Sequence, residues 1–264
     1  MNHHPFGLDP AANALLRELL TQVRELLGEQ FVAMYLDGSL TSGDFDQDSD
    51  IDFVVVTRDE ISEAVFLALQ RMHDQLATAD TVWAIQLEGS YLSQRALRRH
   101  DPAFTRYPNL ERGAGERLKW AEHTQTWDVH RSVLFERGMV ISGPAPQSLI
   151  DPVSPSQLRQ AMQPALNEWA ANFLRNPAPL KSRGYQSYAV LTLCRILFTL
   201  QYGTVASKPA AARWAQANLS AIWKPLIERA WEGRHHSDGE AFPEDISGTL
   251  ELIRFALERT RGEQ

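Results

Sequence analysis

The stretch YLDGSLTSGDFDQDSDIDFVVVT, residues 35–57, decides how this chain reads. It joins the end of an apolar run, Phe31 to Leu36, to a second run opening at Asp52 and continuing to Val56, so two strands flank a Gly38-Ser39 turn and an acidic segment. Successive strand side chains alternate between faces, which points Asp50 and Asp52 the same way, close enough to share a hard divalent cation. Glycine at 38 permits close approach, so backbone amides and the Ser39 hydroxyl can reach phosphate oxygens, and Ser49 adds another hydroxyl. Such a set fits nucleotidyl transfer, which requires triphosphate charge to be neutralised, the α-phosphorus oriented and an oxygen nucleophile generated. One or two Mg2+ ions on Asp50 and Asp52 are the expected cofactor. A third carboxylate is expected on a neighbouring strand to take the acceptor's proton, and Glu88, at the end of an alternating run from Val82, is the candidate.

Two other readings compete for the acidic segment. Asp44, Asp46, Asp48, Asp50 and Asp52 alternate as acids do in a solvated turn, but the flanking strand signals favour a site. An EF-hand loop fails because Ser49 or Ile51 falls where its sharp turn needs glycine, and Val55 or Thr57 where it needs glutamate.

With 44% hydrophobic and 22% charged residues, the 264-residue chain has the composition of a globular protein of one large or two modest domains. A net charge of -7 offers no general attraction to a phosphate backbone, so no nucleic-acid partner is expected. Charged residues interrupt every apolar run before it could span a bilayer, and no membrane partner is expected. The lone Cys194 and the absence of a basic-then-apolar N-terminal pattern suit the cytoplasm. The eight histidines, including His3-His4 and His235-His236, lack zinc-ligand spacing, so no zinc is expected. Arg95, Arg98, Arg99 and Arg106 read equally as a phosphate-facing run or a solvated face.

Periodicity predicts a packing helix over residues 10–28, strands at 31–36 and 52–56, a helix from an Asp59 cap to Leu76 and a strand over 82–88. Gly89-Ser90 is expected to leave that strand, and residues 95–126, broken by Pro102, Pro108, Gly113 and Gly115, to hold few regular elements. A helix over 127–137 and a short apolar run follow; Pro152 and Pro155 then mark a boundary. Beyond them five helical patterns, at 156–174, 185–202, 209–219, 221–231 and 243–260, predict a bundle. The expected class is α+β, with a mixed-sheet domain over 1–152 and a helical domain over 153–264.

The motif of residues 35–57 resembles the signature of the polymerase-β-type nucleotidyltransferase superfamily. Further on, VISGPAPQSLIDPVSPSQL, AVLTLCRILFTLQYGTVASKPAAARWA and LIERAWEGR resemble, in order and spacing, the bacterial streptomycin/spectinomycin adenylyltransferases, a likeness covering roughly residues 30–260. It implies an N-terminal nucleotidyltransferase domain and a C-terminal helical bundle that contributes to holding ATP and substrate. Implied too are ATP as co-substrate, a small hydroxyl-bearing acceptor such as an aminoglycoside, and phosphate and metal roles for Ser39, Ser49, Asp50 and Asp52. Glu88 sits where the family has its general base. Arg195 and Lys208 match basic residues reaching the triphosphate, and Trp231 falls near an aromatic that packs on the drug, across a gap in the match.

Where the family carries acidic residues that contact the cationic antibiotic, this chain has Lys181, Tyr185 and Tyr188. The two tyrosines remain candidate acceptor contacts, whereas a lysine repels a guanidinium or ammonium group. The expectation is therefore a monomeric adenylyltransferase whose ATP half matches the family and whose acceptor half is altered. A nucleotide-binding regulatory or antitoxin-like module and a protein adenylyltransferase are the alternatives.

Overall fold

The computed structural model describes residues 9–42, 49–236 and 238–261; Asp44, Asp46 and Asp48 of the acidic segment, and His3-His4, lie outside them. Two compact units divide the chain, Met1–Pro152 and Val153–Gln264.

The first unit opens with α1 (Pro10–Leu27), whose N-cap Asp9 accepts from the amides of Ala11 and Ala12. One apolar stripe, Leu15, Leu16, Leu19 and Val23, is buried, as a surface helix requires. Strand β1 (Phe31–Leu36) leads into a single turn, α2 (Ser39–Ser42), then β2 (Ile51–Thr57), α3 (Glu63–Leu76) and β3 (Leu87–Ser93). After α4 (Gln94–Arg98) come β4 (Arg106–Leu110), β5 (Lys119–Glu122), α5 (Trp127–Arg137), β6 (Met139–Ser142) and α6 (Pro146–Leu149). The six strands lie in the order β5-β4-β3-β2-β1-β6. Among the described residues only β2 and β3 pair in parallel, joined by the α3 crossover.

Strand alternation splits the core between the two sheet faces. Met34, Leu36, Ile51, Phe53, Val55, Leu87 and Tyr91 pack with α1 and α3. Ala33, Tyr35, Val54, Val56 and Leu92 pack with Leu97, Trp127, Leu134 and Leu149. The fully buried Arg131 of α5 ties down this second layer. Its guanidinium donates to the carbonyls of Leu97 and Ala96, at 3.0 and 2.6 Å, to Asp128 at 2.9 Å and to His123 Nε2 at 2.9 Å. A buried charge without such partners would be costly, so this network fixes α5 against the end of α4.

Three local expectations change. The cap of α3 is Ser62, whose hydroxyl accepts from Val65, because Asp59 is held by Gln30 through its amide instead. Residues 82–85 form a 3-10 turn, and the strand begins at Leu87, so Glu88 is the second residue of β3 and Gly89-Ser90 continue it. Glycine at 89 is what the packing demands, since a Cβ there would lie 2.2 Å from the Phe53 ring. Residues 95–126 hold α4 and the β4-β5 hairpin, whose register runs from Arg106 opposite Glu122 to Asn109 opposite Lys119. Short strands broken by Pro108 carry too little alternation to show in a single sequence.

The second unit holds α7 (Pro155–Arg175), α8 (Arg183–Tyr202), α9 (Lys208–Asn218), α10 (Lys224–Gly233) and α11 (Pro243–Arg261). A capping box at Ser154 and Gln157 starts α7, and Gly203, in the left-handed region at φ 67°, ends α8. Asp245, fully buried on α11, accepts from Arg183 of α8 at 2.6 Å and from Arg229 of α10 at 2.7 Å, so one carboxylate links three helices. Among the described residues no helix is long and apolar enough to cross a membrane.

His73 of α3, 3% exposed, packs on Phe53 and bonds the Tyr91 hydroxyl at 2.7 Å. Burial drives its pKa down to about 4 from an ordinary 6.5. Below pH 6.5 the unfolded chain takes up a proton that the folded chain refuses, so stability falls as pH drops from 6.5 towards 4, by about 3 kcal/mol at most. Thermal melts across this window should show a shallower pH dependence for His73→Gln than for the wild type.

Candidate active site

The turn after β1 builds one wall of the site. Gly38 has φ 68°, a conformation that glycine adopts at little cost. A Cβ at this position would stand 1.9 Å from Asp52 Oδ2, so the missing side chain is what leaves room for that carboxylate. Asp37, 6% exposed, accepts the Gly38 amide at 2.7 Å, and its own amide donates to the Asp52 carbonyl at 3.0 Å. The end of β1 is thereby stitched to the start of β2. Ser39 opens α2 beside this turn, and Ser49 is buried just before β2.

Parallel pairing supplies the other wall. Asp52 stands opposite Glu88 in the β2-β3 register. Asp50, Asp52 and Glu88 share strand parity with Val54, Val56 and Leu92, so all three face the α5 side of the sheet. The carboxylates are half-buried, and one ligand atom from each lies within 4.8 Å of the others. Oxygen donors gathered from three acids suit a hard divalent cation such as Mg2+. Burial, with Asp50 adding to it, pushes the Glu88 carboxyl above its usual range, while Arg112 and His130 pull it the other way. An acid whose pKa is raised by burial keeps more affinity for a proton than a solvated one, which favours a proton-accepting role.

Sequence reasoning found neither Arg112 nor His130. Arg112, on the turn after β4, pairs with Asp50. His130, on α5, packs on Trp127 and sets Nδ1 3.9 Å from Asp37 Oδ2. No periodicity or motif marks either residue; both arrive through the hairpin and α5. Asp37 was within reach of a closer reading, since it directly precedes Gly38 at the end of β1. The basic run flagged in the sequence has other partners: Arg95 pairs with Asp101, Arg98 with Asp151, and Arg106 lies over the Trp120 ring.

The remaining candidates belong to the helical unit. Arg195 lies half-buried on α8 and donates from Nε to the Ala206 carbonyl at 3.3 Å, two residues before Lys208 begins α9. Tyr185 and Tyr188, each 47% exposed, stand one turn apart on α8 with ring centroids 5.7 Å apart. The seven-residue step from Tyr188 to Arg195 keeps the tyrosines and the arginine along one stripe of that helix. Trp231 on α10 is half-buried, with the Arg234 guanidinium 4.3 Å above its ring. Lys181 is exposed just before α8.

Known proteins share both units. Residues 16–101 match the nucleotidyltransferase domain family, and residues 148–258 match the aminoglycoside adenylyltransferase C-terminal domain. An aminoglycoside (3'') (9) adenylyltransferase of Shigella flexneri is 28% identical over 235 residues, covering 82% of this chain and 86% of its own length. A spectinomycin 9-adenylyltransferase of Campylobacter jejuni is 22% identical over 254 residues, 92% of this chain and 94% of that one. Spectinomycin adenyltransferase from Enterococcus faecialis, solved with ATP and spectinomycin, has the same fold, with a TM-score of 0.70 over 94% of this chain and 98% of that one at 14% identity. The two domain matches of this chain, in this order, together with relatives similar over most of their length, mark it as a nucleotidyltransferase that resembles the aminoglycoside and spectinomycin adenylyltransferases.

Proposed function

We propose that the chain transfers AMP from ATP to a hydroxyl of a small acceptor of the aminoglycoside or aminocyclitol class. The observation that carries this reading is the trio Asp50, Asp52 and Glu88, facing one way on adjacent parallel strands of a nucleotidyltransferase domain. The names of the relatives support the acceptor class and the donor.

Asp50 and Asp52 would hold Mg2+, and the oxygen-only donor set fits that ion. When bound, Mg2+ supplies charge neutralisation for the triphosphate and its pyrophosphate leaving group. Amides at Gly38-Ser39 and the hydroxyls of Ser39 and Ser49 meet phosphate oxygens, and Arg195 and Lys208 are assigned to the triphosphate by likeness to the family. Glu88 removes the acceptor hydroxyl's proton. The acceptor oxygen then bonds the α-phosphorus as the bond from that phosphorus to pyrophosphate breaks. Tyr185, Tyr188 and Trp231 offer flat, partly apolar faces with polar tips to a hydroxyl-rich ring. Lys181, standing where an acid would attract a cationic drug, favours an acceptor carrying less positive charge nearby. A monomer suffices for this chemistry.

Pyrophosphate release from Mg-ATP across a panel of aminoglycosides and aminocyclitols tests the reading. Turnover with at least one member is expected, and its loss in Asp52→Asn. ATP binding with no acceptor consumed from the panel would instead indicate a regulatory module or a protein adenylyltransferase.

Glu88→Gln should lower kcat by roughly 100-fold or more while calorimetry gives the same Mg-ATP affinity. An unchanged kcat removes Glu88 as the base. Gly38→Ala forces its Cβ onto the Asp52 carboxylate and strains a positive φ, so turnover should fall by a similar factor with the circular dichroism spectrum retained.

A further inference from the structure

We propose that Arg112 is a movable counter-ion of the active site: it neutralises Asp50 while the nucleotide site is empty, and transfers its guanidinium to the triphosphate when nucleotide and divalent cation bind. The inference rests on the metal and nucleotide reading of Asp50 and Asp52, and adds a residue to it.

Three carboxylates whose ligand atoms lie within 4.8 Å of one another repel unless a cation stands among them. Within the first unit Arg112 stands against one member of the trio, Asp50. Among the described residues of the first unit, Arg112, His130 from α5 and the neighbouring Glu111 act on the carboxylates electrostatically, the first two as cationic or ionisable groups and the third as a further negative charge. Other cations near Arg112 on the hairpin are committed elsewhere: Arg117 grips Asp74 through two nitrogens, and Lys119 pairs with Glu111. Arg112 is therefore the hairpin side chain that brings positive charge to Asp50.

Its attachment suits a moving side chain on a fixed backbone. Leu110 pairs with Gly89, next to Glu88, and the Gly113 amide donates to the Ile85 carbonyl at 2.8 Å, so the turn is pinned on either side of Arg112. The Arg112 side chain is 49% exposed, whereas Asp50 is 14% exposed. An arginine pair so open to water holds weakly and gives way to a divalent ion competing for the same carboxylate. The displaced guanidinium is a planar fork of donors suited to bidentate contact with phosphate oxygens. Lysine would carry the charge without the fork.

Two titrations of the full-length, nucleotide-free chain test this, without relying on turnover. In calorimetry with Mn2+ alone, Arg112→Gln should bind the ion about two- to fivefold more tightly than the wild type, because a competitor for Asp50 has gone. In calorimetry with Mg-ATP and no acceptor, the same variant should bind about tenfold more weakly, because a charge-assisted contact to phosphate has gone. Arg117→Gln, which removes an equal charge from the same hairpin, should alter neither isotherm. If wild type and Arg112→Gln bind Mn2+ equally, or Mg-ATP equally, the counter-ion proposal is overturned while the metal reading stands. If the wild type binds no Mn2+ and matches Asp52→Asn, the metal reading itself falls and takes the proposal with it.

Discussion

Strand β3 runs parallel to β2 with Glu88 opposite Asp52, and the rest of the site depends on that pairing. A parallel neighbour cannot follow through a tight turn, so the chain must cross over one face of the sheet, and α3 does so with Phe66, Leu69 and Met72 buried. The crossover occupies the face that packs with α1. The carboxylates consequently face the opposite side, where Trp127 of α5 packs into the core and His130 acts on Glu88. Slipping the pairing by one residue would send Glu88 to the α1 side and dissolve the trio, but it would also pull Leu87 and Tyr91 out of their packing with α1 and α3, and the apolar core forbids that.

Gathering negative charge at a strand end costs free energy, and the first unit meets that cost without hiding the carboxylates. The trio stays half-buried, Arg112 stands against Asp50, and the nearby buried Asp37 accepts the Gly38 amide. The same partial burial raises the Glu88 pKa and so suits it to accept a proton. Stability and chemistry thus pull on the same residues in different directions. Arg131 shows the contrasting solution: a charge taken wholly out of water and given four partners, serving to hold α5 in place.

The helical unit follows a related economy. Asp245 is fully buried yet bonded to two arginines, which fixes α11 against α8 and α10. With the helices so fixed, α8 can carry polar and aromatic side chains along one stripe, Tyr185, Tyr188 and Arg195, while Leu191, Leu193, Cys194 and Leu197 fill the core. Such a stripe on an otherwise apolar helix is where side chains can be changed without loss of packing.

Much of this was legible in residues 35–57. Period-two alternation, a glycine-serine turn and paired aspartates are local properties, so the chain alone determined both flanking strands, the turn and the parity of Asp50 and Asp52. The five helices beyond Pro152 were equally readable, since long amphipathic patterns with proline and serine starts are strong signals. Only the tertiary structure decided that β3 starts at Leu87, that Pro108 lies in a hairpin extending the sheet, and that Arg112 and His130 stand beside the carboxylates. Those facts depend on register and on which loop passes which strand end. Contacts between residues 62 positions apart, such as Asp50 and Arg112, leave no periodic trace in a single sequence.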